Sequence, residues 1–371
     1  MVSYKKKESG KWQYTISRMI NGKSQPIRKG GFNTKLEAEV AASEIQSKLA
    51  KGLSPALKKI PFYDYFENWI ELYKKNKVSA TTFTHYMYSL KAVQQYFTAI
   101  PIQDIKRSDY QLFLNQLGAN KAKETVAKIN GHIKACVKDA IEDQIIHNDF
   151  TRKTNLFWAN KAKTGEEKHL NFVDSQKLLK ALYNKRNDGL GYSLLLLAAT
   201  SGMRYGELIG LTKKDFDFEK NRITINKTWA YKKVTGAGFA PTKNEQSKRI
   251  IKMDTVTMQH FSELFKTIPT NINELVFYSP ESRYKVISNT TTNKLLRKTL
   301  LELDIEPITV HGLRHTHASV LLYQNTSIHY ISERLGHGDI ETTLKEYTHV
   351  LKELRLKDEK TLTNLFEQIF S

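Results

Sequence analysis

The strongest constraint on the fold of this chain is an ordered set of side chains that can act together only if they meet. Ser201-Gly202-Met203-Arg204-Tyr205-Gly206-Glu207-Leu208 stands past the middle of the chain. His311-Gly312-Leu313-Arg314-His315, Leu335-Gly336-His337 and Tyr347-Thr348-His349 follow in that order. Two arginines can grip the non-bridging oxygens of a phosphodiester through their forked N–H donors. Histidines can share or move protons near neutral pH. A tyrosine oxygen can become covalently linked to phosphorus. Chemistry of that kind requires a fold that brings Arg204 and Tyr347, far apart in sequence, to one point.

The 371 residues exceed one ordinary core, so two or three domains are expected. The 58 Lys and Arg against 38 Asp and Glu leave a net charge of +20, which points to a polyanionic partner, with nucleic acid the usual one. A merely solubilising cationic surface is the alternative. Cys136 is the single cysteine, so no intramolecular disulfide can form and a reducing cytoplasm is expected. It sits in an apolar helical stripe and reads as a small packing residue. No apolar run approaches the ~18 residues of a membrane span. The basic start Met1–Lys7 has no apolar stretch behind it and is not read as a signal peptide.

Residues 1–52 carry 11 Lys/Arg against 4 Glu. Lys11–Arg18 alternates like a strand, Asn21-Gly22 is a hairpin turn, and a second strand around Gln25–Lys29 is expected to break at Gly30-Gly31. Thr34 then caps a helix whose Leu36, Val40, Ile45 and Leu49 face a core. After a linker from Gly52 to Pro61, helical periodicity resumes with Phe62, Phe66, Trp69 and Tyr73. Further helices are predicted over about 80–97, 109–117 and 122–143, making residues 60–160 an all-α domain. A polar, basic stretch, Asn160–Gly165, marks a second boundary. Residues 166–371 begin with a helix capped by Asp174, bury the apolar segment Leu194–Ala199, and have strands near 222–228 and 248–253. The expected class is multidomain and mainly α with small β-sheets.

On the quoted arginine, histidine and tyrosine motifs the chain resembles the tyrosine recombinase (phage integrase) family over most of its length. The resemblance implies an α+β arm-type DNA-binding domain at the N-terminus, an all-α SAM-like core-binding domain, and a mainly α catalytic domain with a small sheet. On the arm-type unit, Tyr14, Arg18, Lys23 and Arg28 are expected on a strand face that enters a DNA groove. The implied activity is site-specific recombination: Tyr347 attacks, the 5′-hydroxyl leaves, a 3′-phosphotyrosyl bond stores the energy, and a second strand reverses the step through a Holliday junction. Integration and excision of a phage or mobile element would follow.

The roles divide residue by residue. Arg204 emerges from a rigid apolar helix, and Glu207 on the same face can orient it; a structural ion pair is the bland alternative. His311 and Arg314 lie one helical turn apart and share a face, with Arg314 complementing Arg204 across a phosphate and His311 an acid/base or hydrogen-bonding group by resemblance. His315 and His317 read as network residues, since a zinc site lacks a third ligand in geometry. His337 would bond the scissile phosphate or the tyrosine's surroundings. Tyr347 is the expected nucleophile over Tyr323 and Tyr330, which read as helix residues. Ala240–Arg249 resembles the β-hairpin that carries a mobile lysine in the family; Lys243 is its expected proton donor to the leaving oxygen and Lys248 the rival.

No cofactor or metal is expected. Ser17 stands where a P-loop ending in Gly22-Lys23-Ser24 needs its first glycine, and no acidic cluster suggests a two-metal nuclease. Leu362, Leu365, Phe366, Ile369 and Phe370 recur at helical spacing and would dock on a neighbouring protomer or on their own domain. Expected partners are duplex DNA at core and arm sites, three further copies in a homotetramer, an excisionase and a host DNA-bending protein, all in the cytoplasm. Two other readings share part of the pattern. A type IB topoisomerase would use the same covalent chemistry but has no need of an arm-type domain, and a DNA-binding regulator has no use for the catalytic set.

Overall fold

The structure, a computed structural model, describes residues 2–20, 23–50, 59–160, 169–232 and 236–341, together with 344, 359, 363 and 367. It divides into two compact units, Met1–Ala162 and Lys163–Ser371. Among the described residues helix predominates and every sheet is small and antiparallel.

The first unit contains two separate hydrophobic cores. In one, β1 (Val2–Lys6), β2 (Trp12–Ile16) and β5 (Ile27–Phe32) form a sheet in the order β1-β2-β5, backed by α1 (Lys35–Ala50). The Asn21-Gly22 turn lies outside the described residues, but β3 (Met19–Ile20) and β4 (Lys23–Ser24) on either side of it pair antiparallel. Strand β5 does not stop at Gly30-Gly31 as expected. Gly30 faces Gln13 where the register shifts between Trp12 and Gln13, and a Cβ on Gly30 would approach the Gln13 Cβ to 3.3 Å. The absent side chain lets the strand continue through an irregularity.

Two expectations fail in this core. Tyr14 is 1% exposed and stacks on Phe32 with ring centroids 5.8 Å apart, so it does not share an outer face with Arg28. Alternate strand residues point to opposite sides. Tyr14 shares the parity of buried Ile16, whereas exposed Arg28 stands opposite Thr15 on the other face. On α1, Thr34 Oγ1 does cap by accepting from the Glu37 N–H at 3.2 Å, and Ile45 and Leu49 pack inward. Leu36 and Val40 are instead 68% and 55% exposed, and Ala38 and Ala42 are fully buried. The inner sheet face already carries Tyr14, Ile16 and Ile27, and the space left beside them at close packing suits methyl groups.

The second core belongs to α2 (Phe62–Tyr73), α3 (Ala80–Phe97), α4 (Arg107–Gly118) and α5 (Lys123–Glu142). Phe62 meets Phe97 and Phe150 edge-to-face at 5.4 and 5.7 Å. The deepest polar groups are paired: the Tyr110 hydroxyl donates to Asn130 Oδ1 at 2.8 Å. Cys136 is fully buried, which pushes its thiol up, and it packs as the apolar stripe implied.

In the second unit α6 (Phe172–Asn184) is capped by Asn171, whose Oδ1 accepts from the Asp174 N–H at 2.8 Å. Asp174, the expected cap, lies in the first turn, where its charge suits the helix dipole. Helix α7 (Leu190–Ser201) is buried along Leu194–Ala198. It lies against α6, α9 (Thr255–Thr267), α10 (Asn289–Glu302) and α11 (Val310–Tyr323). Between α7 and α9 the chain forms the short α8 (Tyr205–Ile209) and strands β6 (Phe216–Asp217), β7 (Arg222–Ile225), β8 (Thr228–Lys232), β9 (Gly236–Ala240) and β10 (Arg249–Lys252). β7 pairs with both β6 and β10, and β8 with β9. The hairpin is thus β8–β9, not the expected 240–249. Pro241 lacks the N–H a ladder needs, and the chain crosses to β10 through a turn in which Asn244 Oδ1 accepts from the Ser247 N–H at 3.0 Å. A small satellite core, Ala318, Leu322, Ile331 and Leu335, joins α11 to α12 (Ile328–Leu335).

The two corrections separate by stability. Tyr14→Ala is expected to cost roughly 3–5 kcal/mol, as for other large buried rings. Leu36→Ala should stay within about 0.5 kcal/mol, as for exposed positions. Urea unfolding of both variants tests this, and equal losses would place Leu36 in the core after all.

Candidate active site

Helix α7 ends at Gly202, which adopts the left-handed conformation with φ 68°. A Cβ there would also come within 2.7 Å of His317 Cδ2 and 2.9 Å of Leu335 Cδ2. Glycine is therefore needed twice over, for backbone and for space. The tight exit places Arg204 at the N-cap of α8. Glu207, one turn on, accepts from the Arg204 N–H and from Arg204 Nη1, both at 3.0 Å.

The same arginine reaches across the unit to the end of α12. Nη2 donates to Gly336 O at 2.9 Å, and Nη1 lies 3.1 Å from Ser247 Oγ and 3.5 Å from Leu335 O. Arg314, 3% exposed on α11, donates from Nη2 to that same Leu335 carbonyl at 2.8 Å and from Nη1 to Gly202 O at 2.8 Å. The two guanidiniums thus converge on one turn, Leu335–Gly336, whose Gly336 (φ 66°) closes α12 in the left-handed conformation. His337 follows directly. Burial, then the charges of Arg314, Arg204, His315 and Arg249, hold its imidazole down at about 3. It is neutral at physiological pH, able to accept a proton or a hydrogen bond on one nitrogen and donate from the other. His311, exposed near the start of α11, meets the His315 ring edge-on at 4.8 Å.

Two members of the site were not anticipated. Arg249 on β10, its side chain 5% exposed, donates to Glu207 Oε2 at 2.9 Å, to Arg334 O at 2.6 Å and to Ser247 O at 2.8 Å. Ser247 is fully buried beside it. Burial pushes the Glu207 carboxyl up, but the charge and hydrogen bond of Arg249, with those of Arg204, outweigh it and hold the group below the ordinary carboxylate value. A signal existed in the sequence. In Arg249-Ile250-Ile251 the period of two puts Arg249 on the face of buried Ile251, and a charge there demands a buried counter-ion.

Lys243 is exposed in the crossing from β9 to β10 and makes no ion pair among the described residues. Lys248 is engaged with Glu245 at 2.9 Å. The turn after Lys243 abuts the end of α12: a Cβ on Gly338 would lie 3.3 Å from Asn244 Nδ2, and one on Gly336 3.1 Å from Gln246 O. Tyr347 lies outside the described residues, as does most of the tail that follows it. Of the rival tyrosines, Tyr323 stacks on Phe172 at 5.1 Å, whereas Tyr330 lines a cleft of about 570 Å³ together with His337, Arg249 and Lys248. In the N-terminal sheet Arg28 is exposed and Arg18 partly so; the Lys23 side chain lies outside the described residues. Among the described residues no group of three His, Cys, Asp or Glu side chains could hold a metal ion.

Residues 168–353, half of the chain, match the phage integrase family. The chain belongs to that family. It is a tyrosine recombinase, an enzyme of site-specific DNA recombination. Residues 2–49 match the arm DNA-binding domain and 61–118 the N-terminal SAM-like domain of phage integrases. The integrase of Staphylococcus phage L54a is 26% identical over 351 residues, covering 87% of this chain and 98% of that protein. A XerC-like tyrosine recombinase of Caldanaerobacter subterraneus subsp. tengcongensis is 26% identical over 379 residues, covering 95% of each. Among solved structures, the Tn1549 transposon integrase in complex with a circular intermediate DNA superposes with a TM-score of 0.67 at 19% identity, covering 81% of this chain and 99% of that one. A lambda integrase dimer bound to a core site gives 0.57 at 15% identity, covering 92% and 93%. These two likenesses speak for the fold.

The buried groups of this recombinase make its stability acid-sensitive. Glu207 is held below its ordinary value, and His317 and His337 are held at about 3, against ~6.5 for an unfolded histidine. The folded state therefore binds fewer protons than the unfolded one, and this stability is present in full above pH ~6.5 and lost as pH falls toward 3. Denaturant midpoints measured from pH 7 to 4 should decline steadily, and less steeply in His317→Gln. A flat profile would mean that the histidines are charged in the fold.

Proposed function

We propose that the recombinase breaks and rejoins duplex DNA through a 3′-phosphotyrosyl bond to Tyr347, with Arg204, Arg314, His311, His337 and Lys243 around the scissile phosphate. The observation that carries this reading is the meeting of Arg204 and Arg314 on the Leu335–Gly336 turn, immediately before His337. Forked donors from two sides suit the two non-bridging oxygens of one phosphate, whose charge would replace the carbonyl dipoles they now face. Tyr347 Oη attacks phosphorus while its proton passes to a histidine, either His337, which is held neutral, or His311. A phenol of pKa ~10 needs that acceptor and the nearby cations. The bond to the 5′ oxygen breaks, and Lys243 supplies the proton that turns it into a hydroxyl. Attack by the 5′-hydroxyl of a second strand reverses these transfers and frees the tyrosine. Chain energy is conserved, so no nucleotide cofactor enters the balance.

The division 1–52, 60–160 and 166–371 gives each step a place. The N-terminal unit would take arm sites through the outer sheet face with Lys5 and Arg28, Tyr14 serving the core instead. The all-α unit and the catalytic unit would take the core site. Four protomers on two duplexes, exchanging strands in pairs, would integrate or excise a phage or mobile element, with an excisionase and a host DNA-bending protein setting direction. Among the described residues no helix is long and apolar enough to cross a membrane, which is consistent with action on DNA in the cytoplasm.

On a nicked duplex carrying the element's own crossover region, wild type is expected to accumulate a covalent protein–DNA adduct and Tyr347→Phe none, read as a shifted band in a denaturing gel. A Tyr347→Phe adduct that Tyr330→Phe abolishes would move the nucleophile to the cleft residue. Lys243→Ala should slow cleavage by about 100-fold, within the range for general acids. It should recover most of that rate on a substrate whose leaving 5′ oxygen is replaced by sulfur, because a thiolate leaves without a proton. If Lys248→Ala shows that pattern and Lys243→Ala does not, the two lysines exchange roles.

A further inference from the structure

The turn that collects both catalytic arginines is braced from behind by two side chains that the cleavage chemistry does not call on. Arg334 lies two residues before Gly336, and its guanidinium reaches back toward α7 and β10. Nη2 lies 3.3 Å from Thr200 O, Nη1 2.8 Å from Lys252 O, and Nε donates to His317 Nε2 at 3.0 Å. Arginine offers donors only, so His317 Nε2 must present a lone pair. The proton of the neutral ring then sits on Nδ1, which lies 3.0 Å from Ala199 O and donates to it. A single neutral tautomer satisfies both partners. Burial, then the charges of Arg334 and Arg314, hold this imidazole at about 3, so the lone pair is available at neutral pH.

The consequence is geometric. Ala199 and Thr200 form the last turn of α7, which delivers Arg204 through Gly202. Arg334 belongs to α12, which delivers Leu335, Gly336 and His337. The apolar anchor of α12 is the four-residue satellite cluster with Ala318, Leu322, Ile331 and Leu335, separate from the main core of the unit. Apolar contact is non-directional and leaves a short helix free to slide or rotate. Directed hydrogen bonds do not.

Resting on the cleavage reading above, we propose that Arg334 and His317 act as a positioning pair for strand cleavage: their hydrogen bond sets the spacing between the turn that carries Arg204 and the turn that carries His337. Neither makes or breaks a bond to DNA. Arg334→Lys keeps the charge but loses the fork, and His317→Leu loses the acceptor. Each is expected to slow single-turnover adduct formation on the nicked duplex by about 10- to 100-fold, the effect of misplacing reacting groups by about an ångström, with DNA affinity within twofold of wild type. The double variant should be no slower than the worse single one, because the two act through one bond. His317→Gln, which can accept at the same place, should restore most of the rate. Wild-type rates in the folded single variants, additive losses in the double variant, or affinity falling in step with cleavage would each overturn the pair. Should the variants not fold, the ring nitrogens of His317 in the DNA-free wild type decide the matter by ¹⁵N NMR at pH 7. Protonation at Nδ1 alone is expected, and protonation at Nε2 overturns the proposal. A wild type that binds the duplex without forming any adduct would remove the cleavage reading, and the pair with it. A normal wild-type adduct with unaffected variants removes only the pair.

Discussion

Two main-chain carbonyls organise this recombinase. Leu335 O and Gly336 O, at the left-handed end of α12, receive hydrogen bonds from both Arg204 and Arg314. A helix terminus leaves its last carbonyls without partners inside the helix, and cations are favoured there by the helix dipole. The fold spends that unmet capacity on two arginines from α8 and α11, and so brings distant parts of the chain into register. Because His337 is the next residue, placing the arginines also places the histidine.

Bringing three guanidiniums together requires a counter-charge, and Glu207 supplies it. One carboxylate oxygen faces Arg204 and the other accepts from Arg249. The group is 1% exposed, so neither charge could be removed without leaving the other buried and uncompensated. Among the described residues the carboxylate bonded to Arg204 and Arg249 is that of Glu207, and burial, followed by the neighbouring guanidinium charges, keeps His337 neutral.

Much of this was legible in the residues. The all-α core, the buried α7, the packed Cys136 and the pairing of Arg204 with Glu207 follow from periodicity and spacing within one element, where a single helix or strand sets which side chains share a face. Where sequence and structure differ, the cause is shared. Helical spacing points Leu36 and Val40 toward a core, but Ala38 and Ala42 occupy that face because the sheet opposite already carries Tyr14, Ile16 and Ile27. Tyr14 does not face outward with Arg28, because its parity matches buried Ile16. Each depended on what the next element contributed, and no single segment contains that information. Strand parity alone marks Arg249 as buried, but not which carboxylate it meets.

The sequence by itself determined the kinds of groups, their order, the rigid segments that hold them and the chemistry that such groups can perform, because these depend on covalent identity and local backbone preference. Only the tertiary structure decided that Arg204 and Arg249 share one carboxylate, that Arg204 and Arg314 meet at one helix end, and that His317 joins α7 to α12. Those are relations between surfaces brought together by burial of separate apolar faces, and the partner of a buried charge is chosen by where those faces meet.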